Sequence, residues 1–235
     1  MPYYGYGFGF DPAYMLLVLV STVIGLAAQG YINSTYRTWS RVPAIGATGA
    51  DVARRMLDAN GCQVVDIKRV NGHLTDHYDP RDNSLHLSSE NLTGGSVASV
   101  AVACHEAGHA AQKAHGYAMM KVRTALVPVV NFTQNTWMLV LMLGLFMNIA
   151  GLTTLAIALF SVSVLFQIVT LPVEFDASHR AMGFLTEYGI LSENEAEGSR
   201  RVLRAAAMTY VAAAAAALLN LLRLVMLSRR DDRRD

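Results

Sequence analysis

Between Thr124 and Val173 the chain carries no Asp, Glu, Lys or Arg, an uncharged run of 50 residues. A helix crosses the roughly 30 Å hydrocarbon core of a bilayer with about 20 apolar residues, so this run accommodates two spans and a tight connection. Asn148 and the stretch Gly151-Leu152-Thr153-Thr154 offer the turn, which predicts a helical hairpin over 127–149 and 155–171. A first span is predicted within 13–30, inside an uncharged run from Pro12 to Tyr36. A fourth is predicted over 205–227, where Arg223 lies near enough to the end to snorkel. One such run could be a buried core helix. Four in 235 residues exceed what a soluble core of this size can cover. The expected fold is therefore a mostly α-helical membrane protein with about four transmembrane helices, organised as one unit over residues 1–235.

Composition supports this. Only 16 % of residues are charged, against roughly 25 % in an average soluble domain. The net charge of +1 gives no basis for nucleic-acid binding. Cys62 and Cys104 have neither metal-ligand spacing nor a disulfide framework and are read as buried small hydrophobes. The first ten residues carry no Lys or Arg and do not look like a cleaved signal; their Tyr and Phe residues suit an interfacial aromatic belt.

Four spans place both termini on one side and the polar segments 33–126 and 172–204 on the other. Near span ends those segments carry Arg37, Arg41, Lys121, Arg123, Arg180, Arg200, Arg201 and Arg204. Arg229, Arg230, Arg233 and Arg234 pull the opposite way. The larger count predicts a multi-pass cell-membrane protein with its polar segments in the cytoplasm. The first segment reads as a small α/β unit. Thr48-Gly49-Ala50-Asp51 leads into an amphipathic helix over 52–59 that stops at Asn60-Gly61. A strand is predicted over 64–70. Asn71-Gly72 and Asp79-Pro80-Arg81-Asp82-Asn83 mark turns around a short β-hairpin, with strands over 73–78 and 84–88. A helix over 96–114 follows.

That helix carries His105-Glu106-Ala107-Gly108-His109. Histidines four apart share one helical face and can hold a single metal, which their ligand type makes zinc. Glu106 is rotated about 100° from His105, so it can take a proton from a metal-activated water without displacing a ligand. The third ligand is open at this point. His115 falls where the extended metzincin motif has its last histidine, but Gln112 stands where that motif needs Gly to end the helix. In a continuing helix His115 points about 240° away from His109. Glu174 is the better candidate. Pro172 permits a helix start there, and a hairpin brings the residues that enter and leave it together. Asp176 and His179 are alternatives on the same segment.

These residues, with Leu74-Thr75-Asp76-His77-Tyr78-Asp79-Pro80 and Leu171-Pro172-Val173-Glu174-Phe175-Asp176-Ala177-Ser178, resemble a known family. The chain is similar, over nearly its whole length, to bacterial membrane-bound neutral zinc metallopeptidases of the YugP type, and more distantly to HtpX-like gluzincins. The resemblance implies a gluzincin-like catalytic unit, with zinc held by His105, His109 and Glu174 and Glu106 as general base. It implies endopeptidase action on a protein or peptide substrate, here membrane-associated or unfolded proteins at the bilayer. In related gluzincins an edge strand beside the metal helix pairs with the substrate backbone. By that analogy one strand of the 73–88 hairpin does so, with His77 and Tyr78 facing the reacting carbonyl. HtpX-like enzymes have Asp four residues after the ligand glutamate, where this chain has Ser178. The partner of a zinc-bound histidine is thus open between Asp176 and Asp76. A homo-oligomer or a membrane-protein partner is compatible with the sequence. The alternative function is a catalytically inactive, zinc-stabilised membrane scaffold or adaptor. A transporter is disfavoured, because the uncharged hairpin offers no ionisable group for an ion path.

Overall fold

A computed structural model of the protein describes residues 12–44, 46–147 and 149–231. The N-terminal aromatic residues, Asn148 and the tail arginines Arg233 and Arg234 lie outside the described residues. In chain order the elements are α1 (Pro12–Trp39), α2 (Gly49–Ala59), β1 (Asp66–Val70), β2 (His77–Asp79), β3 (Ser84–Ser88), α3 (Ser89–Thr93), α4 (Val97–Ala114), α5 (Ala118–Met147), α6 (Ala150–Glu187) and α7 (Glu193–Asp231).

The helices α1, α5, α6 and α7 are long and apolar enough to cross a membrane. Leu26, Phe132, Leu139 and Phe146 point outward from them. Apolar surface on that scale is unsustainable in water and suits a lipid-facing wall. The helices pair as α5 with α6, α6 with α7, and α7 with α1. All four run beyond the segments needed to span. At 1.5 Å per residue, α6 extends roughly 57 Å, about twice the hydrocarbon thickness.

Two expectations need correction here. α5 ends at Met147 and α6 begins at Ala150, so Gly151-Leu152-Thr153-Thr154 forms the first turn of α6 and not the connection. Gly144 of α5 lies against Thr153, so the small residues serve close helix contact rather than chain reversal. Pro172 does not start a new helix; α6 passes straight through it. Interior Pro is tolerated in membrane helices because neighbouring groups take over the freed backbone positions.

The polar segment folds as expected from its local signals. Thr48 caps α2 in a capping box, its side chain taking the Asp51 amide while Asp51 takes the Thr48 amide. The sheet has the order β1-β3-β2, with β1 parallel and β2 antiparallel to β3. Three strands this short have little independent stability, so they depend on packing against helices. That partner is α4, capped by the Ser96 hydroxyl on the Ser99 amide and buried from Val97 to Gln112 apart from Val102. It packs against α2, α6, α7 and the sheet. Cys62 and Cys104 are free and buried in this core.

One close helix approach occurs inside the His-Glu motif. A Cβ at Gly108 would stand 2.7 Å from the Ala177 carbonyl oxygen of α6. Gly108→Ala is accordingly expected to push α4 and α6 apart and destabilise the protein by about 1–3 kcal/mol. Thermal unfolding in detergent checks this.

Candidate metal centre

The α4 helix presents His105 and His109 one turn apart, their ring centroids 4.8 Å from each other. Opposite them, on α6 three residues past the predicted span 155–171, stands Glu174, almost fully buried. Its Oε2 lies 3.2 Å from His105 Nε2 and 3.5 Å from His109 Nε2. One ligand atom from each of these three residues lies within 4.8 Å of the others. The α5–α6 hairpin brings residues near its two ends together: Arg123, early in α5, places Nη2 3.9 Å from Glu174 Oε1.

The neighbouring hydrogen bonds fix the imidazoles. Gln112 Nε2 donates to the Val173 carbonyl at 2.7 Å and to Asp176 Oδ2 at 2.8 Å. Both partners only accept, so the Gln112 amide has one orientation and its Oε1 faces His109 Nδ1 at 3.0 Å. The proton of His109 therefore sits on Nδ1, and Nε2 turns its lone pair towards Glu174. His105 Nδ1 is paired with the Ser178 hydroxyl at 3.1 Å, leaving its Nε2 on the same side. Arg180 Nε holds Asp176 Oδ2 at 2.6 Å.

This arrangement fits a zinc ion. Two imidazole nitrogens and a carboxylate converge, matching the donor set of catalytic zinc sites with three protein ligands. Glu174 Oε1 is buried without a hydrogen bond, an expensive state that a cation would relieve.

Glu106 is a separate case. Its side chain accepts the Tyr78 amide of β2 at 3.0 Å and takes no part in the three-ligand cluster. Burial pushes its carboxyl up to about 7, with His105 opposing and the charges of Glu174 and Asp76 adding. A carboxyl placed there can hold and release a proton near neutral pH.

The other sequence candidates fall elsewhere. His115 ends α4 and faces Arg180, 3.3 Å from its Nη1. His179 lines a groove between α6 and α7. Asp176 reaches His109 only through Gln112. Asp76 instead anchors its own loop, accepting the Ser88 amide, the Ser88 hydroxyl and the Asn91 side chain. The His77 and Tyr78 side chains do not face the cluster. His77 stacks on His86 at 4.7 Å, and the Tyr78 hydroxyl bonds Asn83 at 2.6 Å. What Tyr78 offers the site is its main-chain amide. Sequence reasoning passed over Gln112 as a partner, although a polar side chain three residues after His109 shares its helical face. Tyr210, Leu74 and Gln29, which line the cavity beside His105 and Glu106, carried no local signal.

In the metal-free protein, stability is expected to fall as pH rises from about 4.5 to 7, because the unfolded state releases the Glu106 proton earlier than the folded state does. Glu106→Gln removes this penalty. At pH 8, without metal, it is expected to be more stable than the parent by roughly 3 kcal/mol, with the gap narrowing towards pH 5. Chemical unfolding of metal-stripped protein at both pH values checks this.

Comparison with known proteins adds a family. The profile of a family described as "Putative neutral zinc metallopeptidase" matches residues 14–229. The chain is 42 % identical over 216 residues to "Putative membrane protease YugP" of Bacillus subtilis (strain 168), covering 91 % of this chain and 96 % of that one. No solved structure matches the chain significantly.

Proposed function

The chain belongs to the neutral zinc metallopeptidase family, and on that premise we propose that it is a zinc-dependent endopeptidase. It hydrolyses peptide bonds of membrane-associated or unfolded proteins at the bilayer surface. The observation that carries this reading is the convergence of His105, His109 and Glu174 beside a buried, separately held Glu106. The first three residues hold zinc. Zinc in such a site polarises the scissile carbonyl and lowers the pKa of water to roughly 7. Glu106 is the general base: it takes the proton of the attacking water and passes it to the leaving amine. Gln112 and Ser178 keep the two imidazoles in register, Gln112 by accepting the Nδ1 proton of His109.

The outer edge of β2 lies against α4, where the Tyr78 amide meets Glu106. We assign this edge to the substrate backbone, with His77 and Tyr78 contributing main-chain groups and not side chains. Spans and polar segments act as a single unit, because the α6 that crosses the membrane also supplies Glu174. The reading is tested by elemental analysis beside a cleavage assay on an unfolded protein. About one zinc per chain is expected, lost in Glu174→Ala, kept in His115→Ala and bound roughly 10–100-fold more weakly in Gln112→Leu. Glu106→Gln should keep zinc and abolish cleavage. Zinc-dependent stability with no Glu106-dependent cleavage would instead favour the scaffold.

The catalytic side is assigned to the cytoplasm from the excess of Lys and Arg flanking the spans there. A C-terminal alkaline phosphatase fusion should then be active and a C-terminal green fluorescent protein fusion dark. The reverse pattern would invert the orientation.

A further inference from the structure

Beside His105 and Glu106 lies a cavity of about 230 Å³. Its apolar wall is made by Ile32 from α1, Leu74 from the loop before β2, Val102 from α4, and Leu203 and Ala206 from α7, with Gln29, Asp76, Thr209 and Tyr210 adding polar groups at its margin. It is smaller than the roughly 300–1,000 Å³ of sites that take a whole small-molecule ligand. One side chain and its flanking peptide are what it can hold. The cavity is continuous with the reacting groups, so its occupant belongs to the residue next to the bond being cut.

A second observation concerns Leu74. Its φ is +54°, a left-handed conformation that residues with a Cβ rarely adopt. The loop is pinned around it. Gly72 turns at φ +117°, the Thr75 hydroxyl donates to the Asn71 carbonyl, His73 pairs with Glu90, and Asp76 takes its three hydrogen bonds from Ser88 and Asn91. Strain held in place by such fixed points, beside a reactive centre, points to a side chain whose position matters there.

We propose that this cavity is the side-chain specificity pocket of the protein, and that it takes a large apolar residue such as Leu, Met or Phe. The proposal rests on the peptidase reading given above and names its substrate class. Acidic side chains are disfavoured by the Glu106 and Asp76 carboxylates that line the cavity. A lysine finds no vacant partner at Asp76, whose oxygens already accept three donors. Ile32 lies just past the end of the predicted first span, and Ala206 at the start of the fourth. The pocket thus sits at the membrane boundary, where apolar residues flanking a substrate's own span are presented.

The test uses binding, so that it does not depend on cleavage. Glycine, alanine, leucine, phenylalanine, aspartate and lysine hydroxamates are titrated into the zinc-loaded protein in detergent and followed by calorimetry. Leucine and phenylalanine hydroxamates are expected to bind at least about tenfold more tightly than the glycine compound, with aspartate the weakest. Leu74→Gly suits the left-handed backbone, so it should keep the fold and the zinc while losing most of that preference. Ala206→Phe, filling the pocket, should favour the glycine and alanine compounds. Equal affinities across the series, preference for lysine, no hydroxamate binding to zinc-loaded protein, or a leucine preference that survives both variants would each overturn the proposal. Cleavage that depends on Glu106 without side-chain preference would leave the peptidase reading standing and remove the pocket. Leucine preference without any cleavage would do the reverse.

Discussion

Glu174 is a carboxylate sunk between two imidazoles, with an arginine at one side and almost no access to water. Taking such a charge out of water costs several kcal/mol unless partners are held in good geometry, and the architecture can be read as the means of holding them. The α6 helix leaves the membrane without a break, so Glu174 and Ser178 stand on the same rigid rod as the span below them. Gly108 lets α4 come close enough for its histidines to meet that rod. The hairpin returns Arg123 to the same point. Loosening any of these would leave an unpaired ion inside the protein, which is more damaging than never having buried one.

What was legible in the sequence follows from how local each signal is. The uncharged run and the cap signal at Thr48 depend on neighbours a few residues away, and the helices they announce are present. The spacing of His105, Glu106 and His109 is a helical property and survives any tertiary arrangement. Glu174 needed one further step, that a hairpin brings its two ends together, and the 3.9 Å approach of Arg123 expresses that step. Gln112, three residues after His109 on the same helical face, was within reach of a local pattern, whereas Ser178 was not. That its hydroxyl meets His105 Nδ1 depends on the crossing of α4 and α6, which no local pattern encodes. The His77 and Tyr78 side chains lie away from the cluster because of strand geometry. In an edge strand the side chains point above and below the sheet while the main-chain groups point sideways, and it is the main-chain amide of Tyr78 that meets Glu106. Pro172 misled because its cost in a soluble helix is not its cost where a membrane helix continues among neighbours.

The short sheet closes the argument about the site. A free strand edge invites pairing with other chains, and proteins usually blunt it with charge, bulges or a covering element. Here the edge of β2 is three residues long and turned towards α4, so the Tyr78 amide already has the Glu106 carboxylate as its acceptor. Such an edge is too short to nucleate aggregation, and on the proposed reading it registers one extended segment beside Glu106. The same amide that stabilises Glu106 as an anion is the donor a substrate carbonyl would meet. Proton affinity at Glu106 and occupancy of the strand edge are therefore linked through one hydrogen bond: whatever draws the Tyr78 amide away leaves the carboxylate less stabilised and more basic.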